Sequence, residues 1–148
     1  MNKQDKAADF FRNKCKGGNL KVTPQRTAIY QELIGDYSHP SADDVYRRIR
    51  KKFPNISFDT VNRTLLSFVD IGIVKVVENY TRQKRFDSVV ESHHHLCCIK
   101  CNTIIDFHSK VYDDLKIPSS IKNKYKVIGK RVVLEAVCDK CSRKEKRT

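Results

Sequence analysis

Two Cys-x-x-Cys pairs, Cys98/Cys101 and Cys138/Cys141, bracket the last third of the chain. Four thiolates at that spacing suit a closed tetrahedral zinc site, which needs no redox chemistry from the metal and whose formation adds directly to folding free energy. One ion would then tie the start of a C-terminal domain to its end. Two disulfides would use the same cysteines, but that chemistry belongs to an oxidising compartment, and Met1-Asn2-Lys3-Gln4-Asp5-Lys6 is followed by no apolar signal core. No apolar run approaches the roughly 18 residues of a membrane span, so the expectation is a cytoplasmic protein. Cys15 and Cys97 fall outside the pattern. Cys97 directly precedes a ligand, and in a strand its side chain would take the opposite face, which suits packing.

Just ahead of the first pair lies His93-His94-His95. In a strand, His93 and His95 share one face and His94 takes the other. Asp106 falls on what reads as the next strand, so two imidazoles and a carboxylate are available together. That mixed nitrogen and oxygen set suits iron(II), manganese(II) or zinc(II) and does not choose among them.

The first part of the chain reads as helical. Lys3 to Lys14 is compatible with a helix stopped by Gly17-Gly18. Thr23-Pro24 supplies an N-cap and a proline at the first helical position, Ala28, Ile29 and Leu33 make an apolar face, and Gly35 terminates the helix. Ser41-Ala42-Asp43-Asp44 resembles a capping box, followed by Val45, Ile49 and Phe53 at helical spacing and a stop at Pro54. Ser57 opens a third helix with Val61, Leu65 and Phe68 as its buried stripe, Thr60, Asn62, Arg63 and Thr64 on its outer face, and Gly72 as its C-terminal cap. Two short helices joined by Pro54-Asn55-Ile56-Ser57 predict a helix-turn-helix whose second helix reads a DNA groove. Residues 73–77 and 82–86 predict a two-stranded wing.

Charge agrees with that expectation. The 148 residues carry 30 Lys and Arg against 17 acids, a net charge of +13, which fits a polyanionic partner. Arg63 on the reading helix and Lys75, Arg82, Lys84 and Arg85 on the hairpin suit phosphate contacts. Asn62 is able to pair bidentately with adenine, whereas Asp59 would repel phosphate.

The order Thr23-Pro24-Gln25-Arg26, His39-Pro40-Ser41-Ala42-Asp43-Asp44-Val45-Tyr46, Phe53-Pro54-Asn55-Ile56-Ser57, Thr60-Val61, Arg63-Thr64-Leu65, Arg85-Phe86-Asp87, His-x-His, Cys-x-x-Cys, Ile-Asp-Phe and a last Cys-x-x-Cys resembles the ferric uptake regulator family over roughly residues 20–142. Within it, the chain is most similar to the peroxide-sensing repressor branch. The resemblance implies an α+β fold: an N-terminal winged helix-turn-helix DNA-binding domain with its hinge over residues 1–87, then a small C-terminal α/β dimerisation domain over 88–148 that holds the four-cysteine zinc site. It also implies a homodimer on a double-stranded operator with an inverted repeat, and no enzymatic turnover. Carried over by position, the regulatory metal, Fe2+ or Mn2+, would be held by His39, Asp87, His93, His95 and Asp106, with His39 and His93 the positions oxidised by peroxide. Two details favour the peroxide branch: Asp at both carboxylate positions, and Ser92 and Lys130 where a further family site would need histidines. The nearest alternative is an iron-, zinc- or manganese-uptake repressor of the same family. A mononuclear iron enzyme would share the two histidines and carboxylate, and a zinc-storage protein the cysteines, but neither needs a winged helix. His94, His108 and Cys15 receive no role.

Overall fold

The computed structural model describes residues 3–77 and 79–146. The chain divides into two compact units, Met1–Val90 and Glu91–Thr148.

Among its described residues the first unit holds four helices and a two-stranded sheet: α1 (Lys3–Gly17), α2 (Pro24–Leu33), α3 (Ala42–Ile49), α4 (Phe58–Asp70), β1 (Lys75–Val77) and β2 (Arg85–Asp87). Its helix starts follow the caps. Thr23 accepts from the Arg26 backbone N–H ahead of Pro24, and Ser57 accepts from that of Thr60. The capping box at α3 is closed in both directions: Asp44 N–H donates to the Ser41 hydroxyl (3.2 Å) and Ser41 N–H to the Asp44 carboxylate (2.9 Å). The Ser41 hydroxyl also donates to that carboxylate and holds its pKa below the ordinary range. The core gathers Phe11, Ile29, Leu33, Val45, Ile49, Val61, Leu65, Phe68 and Phe86, and the Phe11, Tyr30 and Phe68 rings meet in stacked and edge-on pairs.

Helix α1 ends at Gly17, within the expected glycine pair; beyond it Asn19 takes the left-handed conformation (φ 52°), and Leu20 N–H reaches back to the Cys15 carbonyl. Gly18 is required for another reason, since a Cβ there would lie 2.2 Å from Cγ2 of Ile71 at the end of α4. Two boundaries differ from the sequence expectation, those of α3 and of the wing strands. Helix α3 ends at Ile49 rather than Phe53, because turns through Lys52 and Phe53 close on the Ile49 carbonyl, so the link to α4 is longer than four residues. Both wing strands begin later than expected: Ile73 N–H is already bonded to the Phe68 carbonyl at the end of α4, and ahead of β2 the Asn79 side chain binds the carbonyls of Val77 and Gln83 and the N–H of Thr81 in place of a backbone ladder, while β2 runs on to Asp87. By contrast α4 ends as expected: Gly72 (φ 72°) donates to Val69 and Ile73 to Phe68, the paired bonds of a Schellman motif.

The second unit is a three-stranded sheet of order β4-β3-β5, with β3 (His94–Cys98), β4 (Ile104–Phe107) and β5 (Val133–Ala136), and three short helices, α5 (Lys110–Asp113), α6 (Ser119–Lys122) and α7 (Asp139–Glu145). Strand β3 pairs antiparallel with β4 and parallel with β5. The turn after β3 is set by Asn102 in the left-handed conformation (φ 59°), whose N–H bonds the Cys98 carbonyl. Asparagine tolerates that backbone.

Candidate metal centres

The parallel pairing of β3 with β5 carries both cysteine pairs to the same end of the sheet. Cys98 closes β3, Cys101 follows in the turn, Cys138 caps α7, and Cys141 lies within it. One sulfur from each lies within 4.8 Å of the others. Bonds of about 2.3 Å to a tetrahedral zinc place sulfurs about 3.8 Å apart, and Cys101 Sγ lies 3.7 Å from Cys138 Sγ. The donor set therefore fits zinc.

Electrostatics supports this. The Cys138 backbone N–H, 3.3 Å from the Cys98 sulfur, is the main influence lowering that thiol to about 6. The Thr103 hydroxyl, 3.1 Å from Cys101, leads in lowering Cys101. Cys141 is pushed the other way, to about 12, first by its sulfur neighbour Cys138. Without a cation the fourth thiolate forms only against the charge of its neighbours. A divalent ion reverses that balance.

The second set of donors begins on the other end of β3. His95 stands opposite Asp106 on β4, and His93 precedes the strand by one residue on the same face as His95. The two Nε2 atoms lie 3.0 Å apart, and Asp106 Oδ1 is 3.4 Å from that of His93 and 3.3 Å from that of His95. His93 Nδ1 lies 2.9 Å from the Glu91 carbonyl. A carbonyl only accepts, so Nδ1 carries the hydrogen, which leaves Nε2 as the ring nitrogen turned toward His95 and Asp106. Two ring nitrogens and a carboxylate oxygen converging in a buried place suit a cation. His94, as expected, faces away: Val132 N–H donates to its Nδ1 (3.1 Å) and its Nε2 meets Asp113 (3.1 Å). His94 is thus a buried strut holding β3 to α5 and to the approach of β5.

His39 and Asp87 belong to the first unit. Ser41 bridges to Arg85, Phe86 N–H donates to the Pro40 carbonyl (3.0 Å), and the 39–41 segment thereby runs alongside β2. Both side chains are buried, and a donor atom of His39 lies within 4.8 Å of one of Asp87. His39 adopts φ 53°, uncommon for a residue with a side chain, and the Arg85 guanidinium secures that turn through the carbonyls of His39 and Ser38.

Among the side chains expected to meet DNA, Thr60, Arg63, Lys75, Arg82 and Lys84 are exposed and Asn62 is half-buried. One expectation is corrected. Thr64 is buried, because three residues after Val61 it shares the inward face of α4. Arg85 is half-buried, and its guanidinium donates to the carbonyls of His39 and Ser38. Asp59 forms an exposed ion pair with Arg63 at 3.7 Å. Sequence reasoning missed Phe58, a large ring left half outside the core on the first turn of α4. Its place three residues before Val61 makes it read as a continuation of the buried stripe.

Residues 17–142 match the Ferric uptake regulator family. The chain belongs to that family. Similar proteins include the Peroxide operon regulator of Bacillus subtilis, 37% identical over 130 residues (88% of this chain, 90% of the relative). The Peroxide-responsive repressor PerR of Staphylococcus epidermidis is 38% identical over 122 residues (82% and 81%). Among solved structures, the Helicobacter pylori ferric uptake regulator has the same fold, with TM-score 0.79 at 23% identity over 96% of this chain and 95% of that one. PerR from Streptococcus pyogenes matches with TM-score 0.53 at 29% identity, covering 91% and 92%.

Proposed function

We propose that this chain is a metal-dependent transcriptional repressor that senses peroxide through oxidation of its own ligand histidines. The observation that carries the reading is the convergence of His93 Nε2, His95 Nε2 and Asp106 Oδ1 within 3.4 Å beside a separate four-sulfur site. The names of the Bacillus and Staphylococcus relatives support the peroxide branch.

In this reading Cys98, Cys101, Cys138 and Cys141 hold structural zinc, and His39, Asp87, His93, His95 and Asp106 hold one regulatory Fe2+ or Mn2+. His39 and Asp87 come from the winged-helix domain (1–87) and the other three from the dimerisation domain (88–148). An ion held by all five stabilises whichever domain arrangement offers all five, and the shift is limited by its differential affinity for the two arrangements. The repressor is a homodimer in the cytoplasm, so two α4 helices meet two half-sites of an inverted-repeat DNA operator. Exposed Val111, Leu115, Tyr125 and Ile128 in the second unit, the last 93% exposed, support a second copy as its cover. Thr60, Asn62, Arg63, Lys75, Arg82, Lys84 and Arg85 remain the side chains proposed to contact DNA.

Ferrous iron supplies the redox chemistry that reduces hydrogen peroxide. In the net change, one peroxide oxygen ends on an imidazole carbon of His39 or His93 and the other leaves as water. The altered ring is a poorer ligand, and DNA is released. Because the protein is consumed by this event, it is a sensor rather than an enzyme.

The test loads the zinc-containing protein with iron(II) or manganese(II), binds an inverted-repeat duplex and adds dilute hydrogen peroxide. Release in the iron form alone, with a gain of about 16 Da on His39 or His93, is expected. Binding restored by a physiological metal without any such oxidation would instead make the chain an iron-, zinc- or manganese-uptake repressor.

A further inference from the structure

Phe58 occupies the first residue of α4, the helix proposed to enter the groove, and is 45% exposed. The buried stripe of that helix, Val61, Leu65 and Phe68, begins one turn later, so the ring contributes little to the core. It is nonetheless held firmly. Ser57 fixes the first turn by accepting from Thr60 N–H (3.1 Å), and the Tyr46 ring of α3 meets Phe58 edge-on, with centroids 5.7 Å apart at 90°. Tyr46 is packed against the core, and the Arg50 guanidinium lies over it, 5.4 Å from its centroid. An apolar ring is thus presented to solvent with its orientation already set, so binding against it costs little side-chain entropy.

The surroundings indicate what it meets. Arg50 over Tyr46 is exposed, as are Ser57 and Thr60 on the same first turn, and Asp59 beside them is paired with exposed Arg63 at 3.7 Å, which offsets its charge toward phosphates. The N-terminal residues of a reading helix reach base edges, and the one strongly apolar feature in the major groove is the thymine C5-methyl group.

We propose that Phe58, positioned by Tyr46, is a specificity-determining residue that reads a thymine methyl in each half-site. This rests on the DNA-binding reading above. The polar face of α4 then leaves Asn62 and Arg63 to choose neighbouring bases, while Phe58 selects thymine by apolar contact alone. Removing one buried methyl costs about fourfold in affinity.

Duplexes selected by the full-length, zinc- and manganese-loaded protein from a randomised pool are resynthesised with deoxyuridine at each thymine in turn, which deletes only the methyl. We expect one thymine per half-site where that change weakens wild-type binding about fourfold, and no further loss from the same change in Phe58→Ala. Phe58→Leu, still apolar, should retain part of the discrimination. Affinity for a scrambled duplex should be the same in all three proteins, which a folding defect would not allow. Equal methyl sensitivity in Phe58→Ala and wild type, or no sensitive thymine at all, overturns the proposal while leaving DNA binding intact. Failure of the wild type to select any duplex overturns both readings, and a change of oligomeric state in Phe58→Ala would reassign the ring to a contact between copies of the chain.

Discussion

Removing zinc from the four-cysteine site should unfold residues 91–148 and leave the winged-helix unit standing. Among the described residues the large apolar cluster lies wholly in the first unit, while the second buries only Cys97, Cys98 and Ile104 as hydrophobic side chains. Its sheet has three strands of four or five residues, and its helices α5 and α6 have four residues each, below the length at which a helix supports itself. A structural zinc contributes on the order of 10 kcal/mol at neutral pH, comparable to the whole stability of an ordinary domain. Its loss is therefore decisive for a unit with so small a core. Hydrogen exchange read by mass spectrometry, with and without a strong chelator, separates the units. Amides of β3 and β5 should exchange in the stripped protein at rates approaching those of an open chain, while α2 and α4 keep their protection. Undiminished protection in β3 after verified zinc loss would refute the reasoning, and simultaneous loss in α4 would show that the first unit does not stand on its own core.

The same site should bind zinc more tightly as pH rises. The Cys98 thiol, lowered to about 6, is already ionised near neutrality, whereas Cys141, pushed to about 12, keeps its proton until the metal displaces it. The metal-free protein thus holds more protons than the bound one, and apparent affinity should climb at least about tenfold per pH unit between roughly 6.5 and 8.5; a flat profile by competition with a chromogenic chelator would count against it. Asp106→Asn keeps the shape of the carboxylate and removes its charge, so manganese affinity by calorimetry should drop by about tenfold to a hundredfold with zinc content unchanged, and an unaltered affinity would exclude Asp106 as a ligand. Adjacent glycines should respond with opposite signs. Gly17→Ala, with nothing within 4 Å of the added carbon, should raise stability by about 0.5–1 kcal/mol, while Gly18→Ala, against Ile71, should lower it by about 1–3 kcal/mol; thermal melts showing the same sign for both would refute the packing argument.

Where the sequence was legible, the responsible interactions were local. Ser41, Ser57 and Thr23 cap helices through bonds spanning three residues, Gly72 ends α4 by a left-handed turn, and the alternation of a strand separates His94 from His93 and His95. The four cysteines were legible because thiolate chemistry leaves few other uses for that spacing. What escaped depended on distant partners. Nothing beside Arg85 in sequence announces that its guanidinium will also meet the carbonyls of Ser38 and His39. Thr64 was placed outward because a stripe at Val61, Leu65 and Phe68 was read too narrowly, when the buried face also takes the position between. The half-exposure of Phe58 is set by where the core under α3 and α4 ends, which no periodicity contains.

Strand β3 offers donors to both candidate metal centres from opposite sides. His93 and His95 look one way near its head, while Cys98, at its tail, shares the parity of His94 and looks the other. A slip of one residue would present His94 alone to the redox ion and Cys97 to the zinc, spoiling both in one stroke. The sulfur-bound ion therefore acts as a ratchet pawl for the imidazoles about 10 Å away along the backbone. On the function proposed above, a molecule that has lost it would be mute toward peroxide before a single histidine had been damaged.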